Sequence, residues 1–225
     1  MGITGIIDKM KDMGSRKGVV IDTPDTITIQ PLEERKLVDI IVDRQIRTKY
    51  QKGWINKKRD TAIKEIVLHS TGGGTSAEGL LYWMMLGERA AEYYKGEALF
   101  HYLLDRKNPN IIEIISPEYW VYHSSSRSHD KETIGIEMVN PSKGNREAPT
   151  ENQYTLLFNL IFKNLIPTYP TITSIVSHDH NMEKYSGLPP KGCPGAGFDW
   201  LRLEKEFIKN NIQFSKKGVG EYNIA

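Results

Sequence analysis

The chain has 225 residues, 39% hydrophobic and 26% charged, which suits one globular domain with appendages and excludes global disorder. Its net charge of +2 and pI near 8.4 are too mild to make nucleic acid a partner. A single cysteine, Cys193, excludes a disulfide-stapled scaffold, and no apolar run reaches membrane-spanning length.

The opening stretch MGITGIIDKMKDMGSRKG lacks the apolar run of a signal peptide, so the chain is expected to be made and folded in the cytoplasm. Basic residues gather near both ends, at Lys9, Lys11, Arg16 and Lys17 and again at Lys205, Lys209, Lys216 and Lys217. They read as a solvated surface or as an attraction for an anionic polymer such as a cell wall or membrane surface. Residues 1–60 read as an N-terminal extension, with DTITIQ alternating like a strand and an amphipathic stretch through Leu37 and Ile41. A main domain is expected over 61–210 and a basic C-terminal tail over 211–225.

From residue 62 the pattern sharpens. AIKEIVLHST is a run of Ile and Val read as a buried strand ending at His69. Gly72–Gly74 break it, and Thr75 with Glu78 offers a capping box for a helix carrying Leu80, Leu81, Met84 and Met85. ALFHYLLDR and NIIEIIS read as adjacent strands joined by the turn KNPN, and TIGIEMVN as another strand. Thr150 and Gln153 form a capping box for a helix that presents Tyr154, Leu157, Phe158, Ile161 and Leu165 on one side and stops at Pro167. TITSIVSH is a last strand, and Asp199 caps a terminal helix through Phe207. This order predicts an α/β fold: a central mixed β-sheet flanked by helices.

His69, His178 and Cys193 stand at strand ends or in loops, where scaffolds display functional groups. Two imidazoles and a thiolate are good zinc ligands, and three protein ligands leave one position open for catalysis. His180, two residues beyond His178, is the alternative second ligand. Cys193 also admits readings as a buried filler or as a redox or nucleophilic thiol. The loop STGGGTS lacks the Gly-Lys-Ser/Thr ending of a phosphate loop, and HSSSRSH lacks the nucleophile elbow of a serine hydrolase. Lys191 lies two residues before Cys193, so in an extended loop both project to one side.

The motifs IVLHST, TIGIEMVN, IVSHDHN and KGCPGAGFDW occur in the order found in zinc-dependent N-acetylmuramoyl-L-alanine amidases. Over roughly residues 62–208 the chain resembles this family, which includes phage amidase endolysins, wall-recycling amidases and peptidoglycan recognition proteins. The resemblance implies the amidase/peptidoglycan-recognition fold. It also implies a Zn2+ cofactor held by His69, His178 and Cys193, and catalysis by Glu137, which assists the attacking water, and Lys191, which stabilises the oxyanion. His101, His123 and Tyr102 are implied as substrate-binding. Many relatives carry a catalytic tyrosine just before the strand histidine, but here that position is Phe100. NMEKYSGLPP reads as an inserted loop near the cleft. The implied function is hydrolysis of the amide between N-acetylmuramic acid and L-alanine in peptidoglycan. The enzyme is expected as a monomer acting as a phage endolysin on the cell wall after membrane permeabilisation. A cytosolic wall-recycling amidase, a non-catalytic peptidoglycan-binding module and a peptidase of the stem peptide remain open alternatives.

Overall fold

A strand buried on both faces is written as a nearly continuous apolar run, without the alternation of a half-exposed one. EIVLHS meets that condition, and in a computed structural model of the chain it forms β1 (Glu65–Ser70), with every residue buried. The structure describes residues 57–77, 80, 99–107, 111–142 and 147–225. The strand-like and amphipathic stretches expected before residue 57, and most of the helix expected after Thr75, lie outside the described residues.

Then come β2 (Tyr102–Leu104), β3 (Ile111–Glu113), α1 (Arg127–Asp130), β4 (Thr133–Met138) and α2 (Glu151–Leu160). After these follow β5 (Ser174–Ser177), α3 (His178–Asn181), α4 (Trp200–Lys209), β6 (Phe214–Gly218) and β7 (Glu221–Ile224). The strands build one seven-stranded sheet in the order β3-β2-β4-β1-β5-β7-β6. Its centre, β2-β4-β1-β5, is parallel, while β3, β7 and β6 add on antiparallel. The fold is the mixed α/β sheet with flanking helices that the order of elements predicts.

Side chains alternate across the sheet, and the two faces differ sharply. Ile66, Leu68, Ile134, Ile136, Met138, Tyr102, Leu104 and Ile175 join Tyr154, Leu157 and Phe158 of α2 and Leu203 and Phe207 of α4 in the main apolar core. Each such aliphatic side chain contributes about 1.5–3 kcal/mol by leaving water. The opposite face carries Glu65 and His69 of β1 and Thr133, Gly135 and Glu137 of β4. This is the face that carries the titratable side chains of β1 and β4.

α2 begins as the sequence dictates. The Gln153 N–H donates to the Thr150 hydroxyl, and the Thr150 N–H donates to the Gln153 side chain. The helical path does not stop at Pro167. It widens into π-helical turns over Ile161–Leu165 and ends at Thr168. Pro167 is the second residue of that last, three-residue segment, directly after the π-helical turns, and the path ends one residue beyond it.

Residues 211–225, expected as a basic tail, instead contribute the hairpin β6–β7 to the sheet. Phe214 stacks on Phe207 and Tyr222 is fully buried, while the lysines between them face outward. The Ser177 N–H donates to the Gly220 carbonyl (2.7 Å), so the hairpin braces the end of β5 directly before His178. The domain also starts earlier than residue 61. The Arg59 guanidinium donates to the carbonyls of Pro117, Tyr119, Asp130, Lys131 and Thr133 and ties the start of β4 to the loop before it.

At the start of β1, buried Glu65 accepts hydrogen bonds from His129 Nε2 (2.6 Å), the Ser174 hydroxyl (2.8 Å) and the Asn181 amide (3.2 Å). Burial alone pushes its carboxyl up, but these partners, His129 foremost, override that and hold it below its usual value of 4.5. A carboxyl lowered by folding stabilises the native state above the unfolded value, and that stability is lost as pH falls through the folded value. Urea unfolding of Glu65→Gln should therefore show a loss of about 1–3 kcal/mol at pH 7, and a loss that shrinks as pH falls below the 4.5 of a free carboxyl. A deficit that is constant with pH would contradict the ionised network.

Candidate metal centre

Parallel pairing of β1 with β4 sets His69 opposite Glu137, so both side chains rise from the same face of the sheet. β5 runs beside β1 and ends at Ser177, whose hydroxyl caps α3, and His178 is the first residue of that helix. Cys193 arrives from the loop after α3. Its Sγ lies 4.0 Å from His69 Nδ1. One ligand atom each from His69, His178 and Cys193 all fall within 4.8 Å of one another. His180 turns elsewhere: its Nε2 lies 3.5 Å from Glu221 on β7, and it takes no part in the cluster.

The loop is held by a residue that pattern reading overlooked. Asp179 Oδ1 accepts the Lys191 N–H (2.8 Å), and Asp179 Oδ2 accepts those of Gly192 (2.9 Å) and Cys193 (3.0 Å). The Asp179 N–H donates back to the Cys193 carbonyl (3.2 Å). Three successive amides converge on one carboxylate only if the backbone turns at Gly192, whose φ of 77° is left-handed. The Ser70 hydroxyl donates to the Pro194 carbonyl (2.6 Å) and ties the same loop to the end of β1. Adjacent to His178 in sequence, Asp179 thus locks one candidate ligand to another fifteen residues away. In sequence it was hidden as one of many acidic residues.

Electrostatics divide the cluster into roles. Burial, with His178 and His101 nearby, lowers His69 well below the ordinary histidine value. Burial and then Lys191 take His178 to about 4, against the pull of Asp179. Both rings are therefore neutral, the form that binds metal. Burial, then the charge of Glu137, pushes the Cys193 thiol well above its usual range. Such an environment disfavours a free thiolate nucleophile, whereas a nearby cation favours the thiolate. Two imidazoles and a sulfur, largely shielded from water, are the donor set that suits zinc. The residues fit that ion.

Glu137 keeps some solvent access and has no hydrogen-bond partner among the described residues, and burial raises its carboxyl to about 8. Such a value keeps proton exchange available near neutral pH. Lys191 is exposed, its charge reaching both His178 and Cys193.

The three residues expected to bind substrate are placed differently. Tyr102 belongs to the opposite face of the sheet, 2% exposed within the main core. His101 is fully buried: its Nδ1 accepts the Gly135 N–H (3.0 Å) and its Nε2 donates to the Tyr119 carbonyl (3.0 Å). It is a structural histidine, lowered to about 3 by burial and then by Arg59. His123 does adjoin the cluster, but beneath it. Its Nδ1 lies 2.9 Å from His69 Nε2, and its ring covers Gly135 so closely that an added Cβ would stand 2.9 Å from it. The inserted segment forms a π-helical turn over Met182–Ser186 and touches the site loop through a Ser186 hydroxyl bond to the Ser125 carbonyl (2.6 Å). The Ser125 hydroxyl in turn lies 3.1 Å from His178 Nε2.

Known proteins extend this picture. No curated protein matches the sequence significantly. Among solved structures, a selenomethionine derivative of AmpD is similar at 21% identity over 65% of this chain and 86% of that one, with a TM-score of 0.51. That likeness speaks for a shared fold. The Ph2119 endolysin from the Thermus scotoductus MAT2119 bacteriophage Ph2119 matches at 17% identity over 71% and 94%, TM-score 0.49. Drosophila PGRP-LB matches at 14% identity over 68% and 83%, TM-score 0.48. A family model described as N-acetylmuramoyl-L-alanine amidase covers residues 59–196, from the Arg59 anchor to just past Cys193. With that match spanning more than half of its length, the chain belongs to the N-acetylmuramoyl-L-alanine amidase family.

Proposed function

We propose that this family member is a zinc-dependent amidase that hydrolyses the bond between the lactyl group of N-acetylmuramic acid and L-alanine in bacterial peptidoglycan. The observation that carries the reading is the convergence of His69, His178 and Cys193 on one point beside Glu137. A zinc ion held by those three residues supplies Lewis acidity toward the scissile carbonyl and makes water acidic near neutral pH. Glu137 takes the proton of the attacking water and returns it to the departing nitrogen, which an amide requires because its amine is a poor leaving group. Lys191 places a cation where negative charge grows on the carbonyl oxygen. Asp179 holds the loop that carries both Lys191 and Cys193.

We infer further that the enzyme acts as a phage endolysin on intact wall, once the membrane is permeabilised. The exposed lysines at positions 205, 209 and 217 favour approach to an anionic wall polymer. Among the described residues no helix is long and apolar enough to cross a membrane.

Purified walls should lose turbidity with the protein, keep it when a chelator is added, and lose it again when zinc is restored. The fragments should carry a free L-alanine amino terminus by mass spectrometry. Walls that stay turbid although zinc is bound would instead indicate a binding module, and cleavage confined to soluble muropeptides would indicate recycling. Cys193→Ser should lower zinc content and activity together, since a hydroxyl is a poor ligand for this ion. Glu137→Gln and Lys191→Ala should each retain zinc while kcat falls about 10²–10³-fold. Near-normal turnover in either variant would remove that residue from the mechanism.

A further inference from the structure

His69 offers two nitrogens, and only one can face the metal position. Nδ1 is the one near Cys193 Sγ (4.0 Å), while Nε2 lies 2.9 Å from His123 Nδ1. A single proton fits between two nitrogens at that distance. If it belongs to His123, a neutral His69 carries its hydrogen on Nδ1 and presents an N–H to the sulfur. If it belongs to His69, Nδ1 presents a lone pair. The chemistry of the site depends on which ring owns this proton.

The far end of this relay carries the group that can set its direction. His123 Nε2 lies 2.9 Å from the hydroxyl of Thr133, which is fully buried at the start of β4. That hydroxyl has one proton and two directions for it: the His123 ring or the Asp130 carbonyl at 3.4 Å. Donation to Asp130 leaves the Thr133 oxygen free to accept from His123 Nε2–H. His123 Nδ1 is then bare and accepts from His69 Nε2–H, so that His69 Nδ1 is bare as well. Each bond in this sequence hands its polarity to the next. Gly135, without a side chain, leaves His123 room to lie flat between the two partners.

We propose that Thr133 and His123 are positioning residues that fix the tautomer of His69, so that Nδ1 turns its lone pair toward Cys193 and His178. His123 is thus no part of a substrate groove. It stands behind a ligand, as the outer partners of metal-binding histidines do. Thr133 lies still further back and touches none of the three proposed ligands, yet it sets the direction of the relay.

The inference rests on the metal reading above, but its principal test does not require metal. In zinc-free, 15N-labelled protein, long-range proton–nitrogen correlation should show His69 protonated at Nε2 and bare at Nδ1. His69 found with its hydrogen on Nδ1 overturns the proposal. Zinc affinity, measured by competition with a chromophoric chelator, should fall about tenfold in Thr133→Val and return to within about twofold of wild type in Thr133→Ser. Valine matches threonine in shape, so a purely structural role would leave the His69 tautomer unchanged in Thr133→Val, whereas the relay predicts a mixture of tautomers. Thr133→Val binding zinc as tightly as wild type also overturns it. Should Thr133→Val fail to fold, the wild-type spectrum still decides. Wild-type protein that takes up no zinc would sink the metal reading instead, with the His69 tautomer still read independently.

Discussion

Everything at this site depends on the register between β1 and β4. Pairing His69 with Glu137 puts an imidazole of the candidate metal cluster and a buried carboxyl side by side on one face, with Thr133 and Gly135 lower on the same face to receive His123. Because side chains alternate, a slip of one residue would send His69 into the apolar core and bring Leu68 to the site. The core itself prevents this. Ile66, Leu68, Ile134 and Ile136 are all completely buried, and each would be turned toward polar groups by the same slip. Hydrophobic packing on one side of the sheet thus fixes the chemistry on the other.

The polar face resolves a conflict between burial and charge. Three histidines, a thiol and a carboxyl lie together in a volume largely closed to water. Burial drives each toward its neutral form, as the lowered imidazoles and the raised Cys193 and Glu137 show. Among the described residues the nearby fixed positive charges are Arg59, which acts on His101 and His123, and Lys191, which is exposed and acts on His178 and Cys193. A divalent cation would favour the thiolate without requiring any imidazole to be charged. Neutral imidazoles beside a thiol are in this way the form of the donor set that suits such a cation.

Much of this was legible in the sequence, and the failures have physical reasons. β1 and the capped start of α2 carry strong local signals, an unbroken Ile/Val run and a reciprocal cap. His178 was separable from His180 because it directly follows a buried strand, and α3 turns His180 toward β7. Tyr102 misled because a three-residue strand is too short to show which face is apolar. The β6–β7 hairpin was hidden because FSKKG, an edge strand, buries little beyond Phe214 and reads as a charged tail. Asp179 and Arg59 were invisible for another reason: each works by binding backbone groups far away in the chain, and backbone groups leave no mark in a sequence.

The Asp179 clamp separates two tasks along the chain. It fastens residues 191–193 directly to the start of α3, so residues 182–190 form a closed excursion whose two ends are pinned beside each other. That excursion shows Tyr185 and Leu188 to solvent and leans on the site rim through Ser186. It is anchored within as well, because Met182 is fully buried and Tyr185 stacks on His129 with ring centroids 3.9 Å apart. The fold thus separates the residues that hold His178 and Cys193 in place from a neighbouring stretch that faces solvent and adds no member to their cluster.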